Sequence, residues 1–383
     1  MTLTHDKSFP GPEADAPWLA GIQEEQGRTW APSPYLHLGP DAIHNPHTGL
    51  ELRSGDAGFA YLRRWMQDGS LPVAEPTDAM SGYVQDRWLV PSDHRLDYEY
   101  HLKYVQLEAH TVCNQSCYFC PVSIAPREAH SMEMDFYRDI ARQVAELDQP
   151  IEAVFMIAYN EPTADPRFVE QVQVLREAGL PPATLTNGSG LTPKRVDQLI
   201  ELGGLRFLSI NLSTLDRERY AEDRGKDQLP LVLRNLDYAQ NRPVADQMDI
   251  VVLGTGDEVH QRDFEEIQER FEGTRFTAKH FVVNDRAGYL EVGMIGDGVD
   301  RRLGGCDYMG SRPIQHIHIN PYGQLLLCCQ DYDEKEVLGD LREQSLAEIL
   351  VSEPFARARR MVYGLEEAPA SYICRNCKYS LTR

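Results

Sequence analysis

The run His110-Thr-Val-Cys113-Asn-Gln-Ser-Cys117-Tyr-Phe-Cys120-Pro121 decides how this chain is read. Its three cysteines follow the spacing C-x3-C-x2-C. Three thiolates this close can hold one corner of a metal cluster but leave a fourth position open. An iron–sulfur cluster with one iron unclaimed by protein can bind a substrate or cofactor there, whereas a structural cluster is closed. The competing reading is a zinc site with His110 or a distant side chain as fourth ligand. Zinc sites usually pair two C-x2-C-like knuckles, and only Cys117-x2-Cys120 has that form here.

Around this run, six apolar, β-rich segments alternate with helical patterns: 104–108, 153–158, 183–186, 207–212, 249–253 and 278–283. Met132, Phe136, Ile140, Val144 and Leu147 keep a helical period between the first two. Asp165-Pro166 opens a second helix that Gly179 ends, and Thr192-Pro193 caps a third that Gly203-Gly204 stops. The alternation predicts an α/β fold with a parallel sheet and right-handed crossovers. Six units are too few to close an eight-fold barrel, so a partial (β/α)6 barrel is expected over 99–290. Chemistry in such sheets lies at the C-terminal ends of the strands, and Cys113 follows the first strand by a few residues.

Residues 1–30 read as a disordered leader without a secretory signal, and 31–98 as a small α+β unit. In that unit Tyr35-Leu-His-Leu-Gly39 and Gly49-Leu-Glu-Leu52 flank Asn45-Pro-His-Thr-Gly49, a hairpin signal, with helical stretches around 57–67 and 77–86. The C-terminal part, 300–383, carries a second hairpin, 315–320 and 324–328 about Pro321-Tyr-Gly323. A helix near 345–350 and a Cys374-x2-Cys377 knuckle follow. His316 and His318 alternate on the hairpin and read as packing or surface residues rather than ligands.

The composition is that of a soluble protein, and no apolar run approaches the roughly 18 residues of a membrane span. A cytoplasmic location is expected. A formal charge of −21 argues against a nucleic-acid partner. Eight cysteines without an export signal point to metal or redox chemistry, and all fall in two groups, 113–120 and 306–377.

The first motif, with Tyr118-Phe119 before its third cysteine and a strand ahead of it, resembles the signature of the radical SAM superfamily, and the resemblance runs from about Tyr104 to the C-terminus. It implies a [4Fe–4S] cluster on Cys113, Cys117 and Cys120 whose open iron binds S-adenosylmethionine, with Tyr118 and Phe119 shielding the cluster near the adenine. An electron from a partner such as flavodoxin or ferredoxin would then yield a 5′-deoxyadenosyl radical. Tyr159-Asn160-Glu161-Pro162 resembles the segment that binds the methionine amino group, with both usual glycines replaced and Glu161 matching. Thr186, Asn187, Ser209 and Asn211 match positions that contact ribose or carboxylate, and Arg224 one that meets the carboxylate. Each of these polar residues also reads as a strand-end turn or cap.

The second group resembles the SPASM extension or its shorter twitch form, through Cys306, Gly323-x4-Cys328, Leu338-Gly-Asp-Leu341 and Cys374-x2-Cys377. Full SPASM extensions carry more than the five cysteines found here, which implies one auxiliary [4Fe–4S] cluster on Cys306, Cys328, Cys374 and Cys377. Adjacent residues on a strand face opposite sides, so Cys329 is expected to point elsewhere, as a hydrogen-atom donor or a buried thiol. Zinc bound by a hairpin and a knuckle is the alternative. The unit at 31–98 resembles the peptide-recognition element of radical SAM maturases, which implies crosslinking, epimerisation or oxidation of a ribosomally made peptide. Oxidation or epimerisation of an aminocyclitol or sugar, and a non-enzymatic zinc-stabilised interaction protein, are the other readings.

Overall fold

The computed structural model describes residues 30–382 apart from 57, 69–80, 299, 309 and 310. The leader expected over 1–30 lies outside them except for Trp30, which opens a short strand, Trp30–Pro32, paired with Leu89–Pro91. Six parallel strands form the centre: β1 (Tyr104–Leu107), β2 (Ala153–Phe155), β3 (Pro182–Thr186), β4 (Leu205–Asn211), β5 (Ala245–Gly254) and β6 (Phe276–Val282). Between them run α1 (Met134–Glu146), α2 (Phe168–Glu177), α3 (Pro193–Glu201), α4 (Arg217–Arg224), α5 (Leu229–Ala239) and α6 (Glu258–Arg270). Strand residues such as Val105, Leu107, Val154, Leu208, Ile210 and Ile250 are buried against Tyr137, Ile140, Val172, Leu199 and Leu236 of the helices. Helical spacing of apolar residues thus covers the sheet as the alternation requires.

β2 is shorter than its apolar run because side chains take over its ladder. Met156 N–H still donates to Ala183 O (3.0 Å), but Ala158 N–H then goes to Asn160 Oδ1 (3.1 Å) and Ile157 O accepts from Gln106 Nε2 (3.1 Å), so the chain leaves the sheet there.

The predicted C-terminal hairpin belongs to the central sheet, not to a separate unit. Its first arm, β7 (His316–Ile319), lies parallel to β1, with His316 opposite Tyr104 and Ile319 opposite Leu107. β8 (Gln324–Leu326) and β9 (Val337–Asp340) continue antiparallel, giving the order β6-β5-β4-β3-β2-β1-β7-β8-β9. β7 is buried throughout, as a strand added to an otherwise open edge must be. His316 packs on the Tyr104 ring (4.8 Å), and His318 is buried and held neutral, lowered to about 4 by that burial.

Beyond β9, α7 (Leu346–Leu350) starts with a Ser345/Glu348 capping box, and α8 (Glu353–Val362) follows without having been expected from sequence. The last strand, Ser380–Thr382, pairs antiparallel with Leu303–Cys306. Near the N-terminus, His37–Leu38, Ala42–Asn45 and Leu50–Arg53 make a three-stranded antiparallel sheet. The turn at Asn45–Gly49 therefore joins Ala42–Asn45 to Leu50–Arg53, a strand interposed between the two predicted arms. Phe59, Leu62 and Trp65 of the helix Phe59–Asp68 cover it. The second helix is Ser81–Gln85; residues 77–80 of its expected span lie outside the described residues. Gln315 Nε2 to Pro46 O (2.9 Å) and Arg360 Nη1 to Asp97 Oδ2 (2.6 Å) dock this region on the C-terminal part. Among the described residues no helix is long and apolar enough to cross a membrane.

Candidate metal centres

The loop after β1 is fixed by the protein itself. Ser116 N–H donates to Arg224 O (3.0 Å) and Tyr118 N–H to Asp223 O (3.1 Å), which satisfies carbonyls that the end of α4 leaves open. Gly225 caps that helix at φ 64°, and a Cβ there would stand 2.2 Å from Ser116 Oγ. Cys117 is buried, with Cys113 and Cys120 half-buried, and all three are free. Burial pushes the Cys113 thiol up to about 12, helped by nearby Glu161, Cys117 and Cys120. Cys117 and Cys120 pack with Phe119, Leu253, Val283 and Val292, while Tyr118 stays 40% exposed, edge-on to Phe119.

Glu161 braces this loop from behind. Its Oε1 accepts from Thr163 N–H (3.0 Å), Thr163 Oγ1 (2.5 Å) and Thr186 Oγ1 (2.5 Å), and its Oε2 from Asn187 N–H (2.8 Å). Its own N–H donates to Val112 O (3.0 Å). Asn187 Nδ2 reaches Asn114 Oδ1 (2.7 Å), inside the cysteine run. Asn160 Oδ1 is taken by Ala158 N–H, but its Nδ2 is buried without a partner. Arg224 Nη2 donates to Asn211 Oδ1 (2.9 Å) and Ser213 Oγ (2.8 Å), and its Nη1 lies 3.7 Å from Cys117 Sγ. Tyr118, Phe119, Asn160, Glu161, Thr186, Asn187, Asn211 and Arg224 are thus all brought to the cysteine loop or its bracing shell. Ser209 lies two residues further back on β4, half-buried.

This setting fits an iron–sulfur cluster with a polar ligand on its open side. The thiols sit in an apolar seat, and Asn160 Nδ2 and Arg224 Nε are buried donors left unmet. A zinc ion fits less well: His110 Nδ1 accepts from Val112 N–H (3.2 Å) within its own loop. Among the described residues no three His, Cys, Asp or Glu side chains converge tightly enough to hold a single metal ion.

The second centre is assembled by the terminal strand pair, which sets Cys306 opposite Ser380. Cys374 has Cys377, Cys328 and Cys306 within electrostatic reach, and burial drives its thiol well above the ordinary range. Cys377 is likewise pushed up to about 12 by burial, with Cys306 adding to it. Cys328 Sγ accepts from Gln330 N–H (3.2 Å). Cys328 and Cys329 lie beyond the end of β8, in a turn, so strand alternation is not what separates them. Cys329 acts on Tyr159, Tyr308, Arg286 and Arg312 and also on Cys328 and Cys377, and its carbonyl accepts from the Tyr159 hydroxyl. Cys306, Cys328 and Cys377 all act on the Cys374 thiol, and these four residues are the ones that would hold a closed cluster, with Cys329 beside them.

Sequence reading missed the groups between the two centres. Arg127 pairs bidentately with Glu108 (2.5 and 2.9 Å), which also accepts from Tyr159 N–H (2.9 Å). Arg286, at φ 52°, and Arg312 enter from loops whose charge patterns look like ordinary surface. A charged residue in a loop carries no sign that it will be buried.

Two family models match the chain, the radical SAM superfamily over residues 107–270 and an iron–sulfur cluster-binding domain, SPASM, over 306–378. The chain belongs to the radical SAM superfamily and carries a C-terminal auxiliary-cluster domain. Its cofactors are a [4Fe–4S] cluster that works with S-adenosylmethionine and an auxiliary iron–sulfur cluster; the zinc-module reading is set aside. Among curated proteins it is 24% identical to the S-adenosyl-L-methionine-dependent 2-deoxy-scyllo-inosamine dehydrogenase of Niallia circulans, over 71% of this chain and 91% of that one. It is also 30% identical to the tungsten-containing aldehyde ferredoxin oxidoreductase cofactor-modifying protein of Pyrococcus furiosus, over 27% of this chain and 28% of that one. The fold is shared with Streptococcus suis SuiB bound to its precursor peptide SuiA, at 14% identity and a TM-score of 0.55, covering 86% of this chain and 90% of that one.

Proposed function

We propose that this radical SAM enzyme modifies a ribosomally made peptide, by crosslinking, epimerisation or oxidation. The observation that carries the reading is the N-terminal sheet. Its outer strand, Leu50–Arg53, has no partner on its free side among the described residues, and Leu50 is 41% exposed. Such an edge can take a leader peptide as a further strand. When bound, the first cluster and S-adenosylmethionine supply the 5′-deoxyadenosyl radical. The chain's own part is to seat Cys113, Cys117 and Cys120, to offer Asn160 Nδ2 and Arg224 to the methionine end, and to keep Tyr118 and Phe119 over the adenine side. Ser209 and Asn211 line the same strand end. Cys329, facing Tyr159 and Tyr308 at the edge of the auxiliary set, is the candidate hydrogen-atom donor, and flavodoxin or ferredoxin the candidate reductant.

The likeness to 2-deoxy-scyllo-inosamine dehydrogenase over most of both chains favours a second reading, dehydrogenation of an aminocyclitol. The test uses a synthetic peptide covering the leader of a short precursor encoded beside this gene, with binding read by fluorescence anisotropy. Glu51→Pro removes an N–H from the edge strand and is expected to weaken binding by tenfold or more while leaving 5′-deoxyadenosine formation under dithionite unchanged. Absence of peptide binding by the parent, with turnover of 2-deoxy-scyllo-inosamine, would turn the assignment to the second reading.

A further inference from the structure

Arg312 is a buried cation beside the auxiliary thiols that has no carboxylate partner among the described residues. The residue is 4% exposed. Its Nη1 donates to Gln106 Oε1 (3.1 Å), its guanidinium lies 4.8 Å from the Tyr308 ring centroid, and its Nε has no partner. The ionisable groups that act on it most are Cys329, Cys328, Tyr308 and Cys306. Arg127 and Arg360 are answered by carboxylates, Glu108 (2.5 Å) and Asp97 (2.6 Å), whereas Arg224, Arg286 and Arg359 share with Arg312 the lack of an ion pair among the described residues; of these, Arg312 is the one that Cys328 and Cys306 act on. A buried guanidinium without a counter-charge is costly, and the thiols around Arg312 are the groups that can supply that charge once they are ionised. Cysteines on iron are thiolates, and the Arg312 main chain also acts on the Cys306 thiol, holding it lower than burial alone would. Main chain and side chain of one residue therefore address the same ligand set.

We propose that Arg312 is a positioning residue of the auxiliary centre, its charge offsetting the Cys306 and Cys328 thiolates and raising the reduction potential of the cluster they hold. The physical cause is that reduction adds a negative charge beside a fixed positive one in a medium that screens poorly. The inference depends on the auxiliary cluster and not on the substrate, so it stands for a peptide and an aminocyclitol alike.

The test uses the full chain with Cys113→Ala, Cys117→Ala and Cys120→Ala, which leaves the auxiliary cluster alone. Dithionite supplies the single electron per cluster, and the midpoint is read from the EPR signal of the reduced form. Arg312→Gln, polar but uncharged, is expected to shift the reduction equilibrium toward the oxidised form by tenfold or more, about 59 mV for a one-electron couple. Arg312→Lys, which keeps the charge, is expected to stay within about threefold of the parent. Iron is counted in every variant. Loss of auxiliary iron from Arg312→Gln with retention in Arg312→Lys also supports the proposal, because the charge is then what holds the thiolates. Equal midpoints in parent and Arg312→Gln, an equal fall in both variants, or loss of iron from both overturns it.

Discussion

The two cysteine groups are held in different ways. Around the first, most polar groups are spent on one another, with Asn160 Nδ2 and Arg224 Nε left over on the open side: Glu161 takes four donors, and Arg224 joins Asn211 and Ser213 to the sulfur of Cys117. The loop's amides go to the end of α4, a separate element. Around the second, partners are missing. Gln330 leaves both side-chain polar atoms unmet and His318 both ring nitrogens, and the Gln330 amide goes to the Cys328 thiol itself. The first centre is a rigid cradle with one open side; the second is completed by what its thiols bind. A reactive centre needs geometry that persists while its ligand comes and goes, whereas a closed cluster can contribute folding energy of its own.

The largest effect that divides the two centres is the loss of one cysteine from each. Cys117→Ala is expected to abolish 5′-deoxyadenosine formation and to leave only the auxiliary iron, about four atoms per chain. Cys374→Ala is expected to keep S-adenosylmethionine cleavage while losing the auxiliary iron. Cleavage surviving in Cys117→Ala would mean that the chemistry has been placed at the wrong group.

Metal removal sharpens the same contrast at smaller amplitude. In chelator-treated protein, hydrogen exchange is expected to stay slow at Ser116 and Tyr118, whose amides are held by α4, and to quicken at 328–330, where protection depends on the Cys328 sulfur. Equal loss at both places would show that the first loop also waits for its cluster.

What was legible in the sequence follows this division. Short-range spacing carried the C-x3-C-x2-C loop, and alternation carried the six parallel strands, because both are local consequences of chemistry and period. Strand β7 was visible as a strand but not as a neighbour of β1, since pairing across more than 200 residues leaves no mark in either segment. Glu161 was visible as a matching position, but not that its carboxylate would be consumed by Thr163, Thr186 and Asn187. The arginines between the centres were illegible for the opposite reason. Arg286 and Arg312 carry a residue type that is usually exposed, and only the fold encloses them.

The smallest effect concerns Gly225, on which the rigidity of the first loop turns. The residue holds φ 64° at the end of α4, and a Cβ would stand 2.2 Å from Ser116 Oγ. Gly225→Ala therefore meets two costs, a left-handed backbone worth about 1–2 kcal/mol and a contact with a serine on the loop. Ser116 is exposed, and its hydroxyl can rotate away, so the backbone cost dominates. The expected outcome is a fall in unfolding free energy of about 1–2 kcal/mol, read by urea denaturation of the apo-protein. Ser116→Ala combined with Gly225→Ala recovers little of it. If the double variant regained parental stability, the clash would be the whole effect and the loop would be held by packing. If the single variant were neutral, the tie between α4 and the cysteine loop would not be what keeps that centre in place.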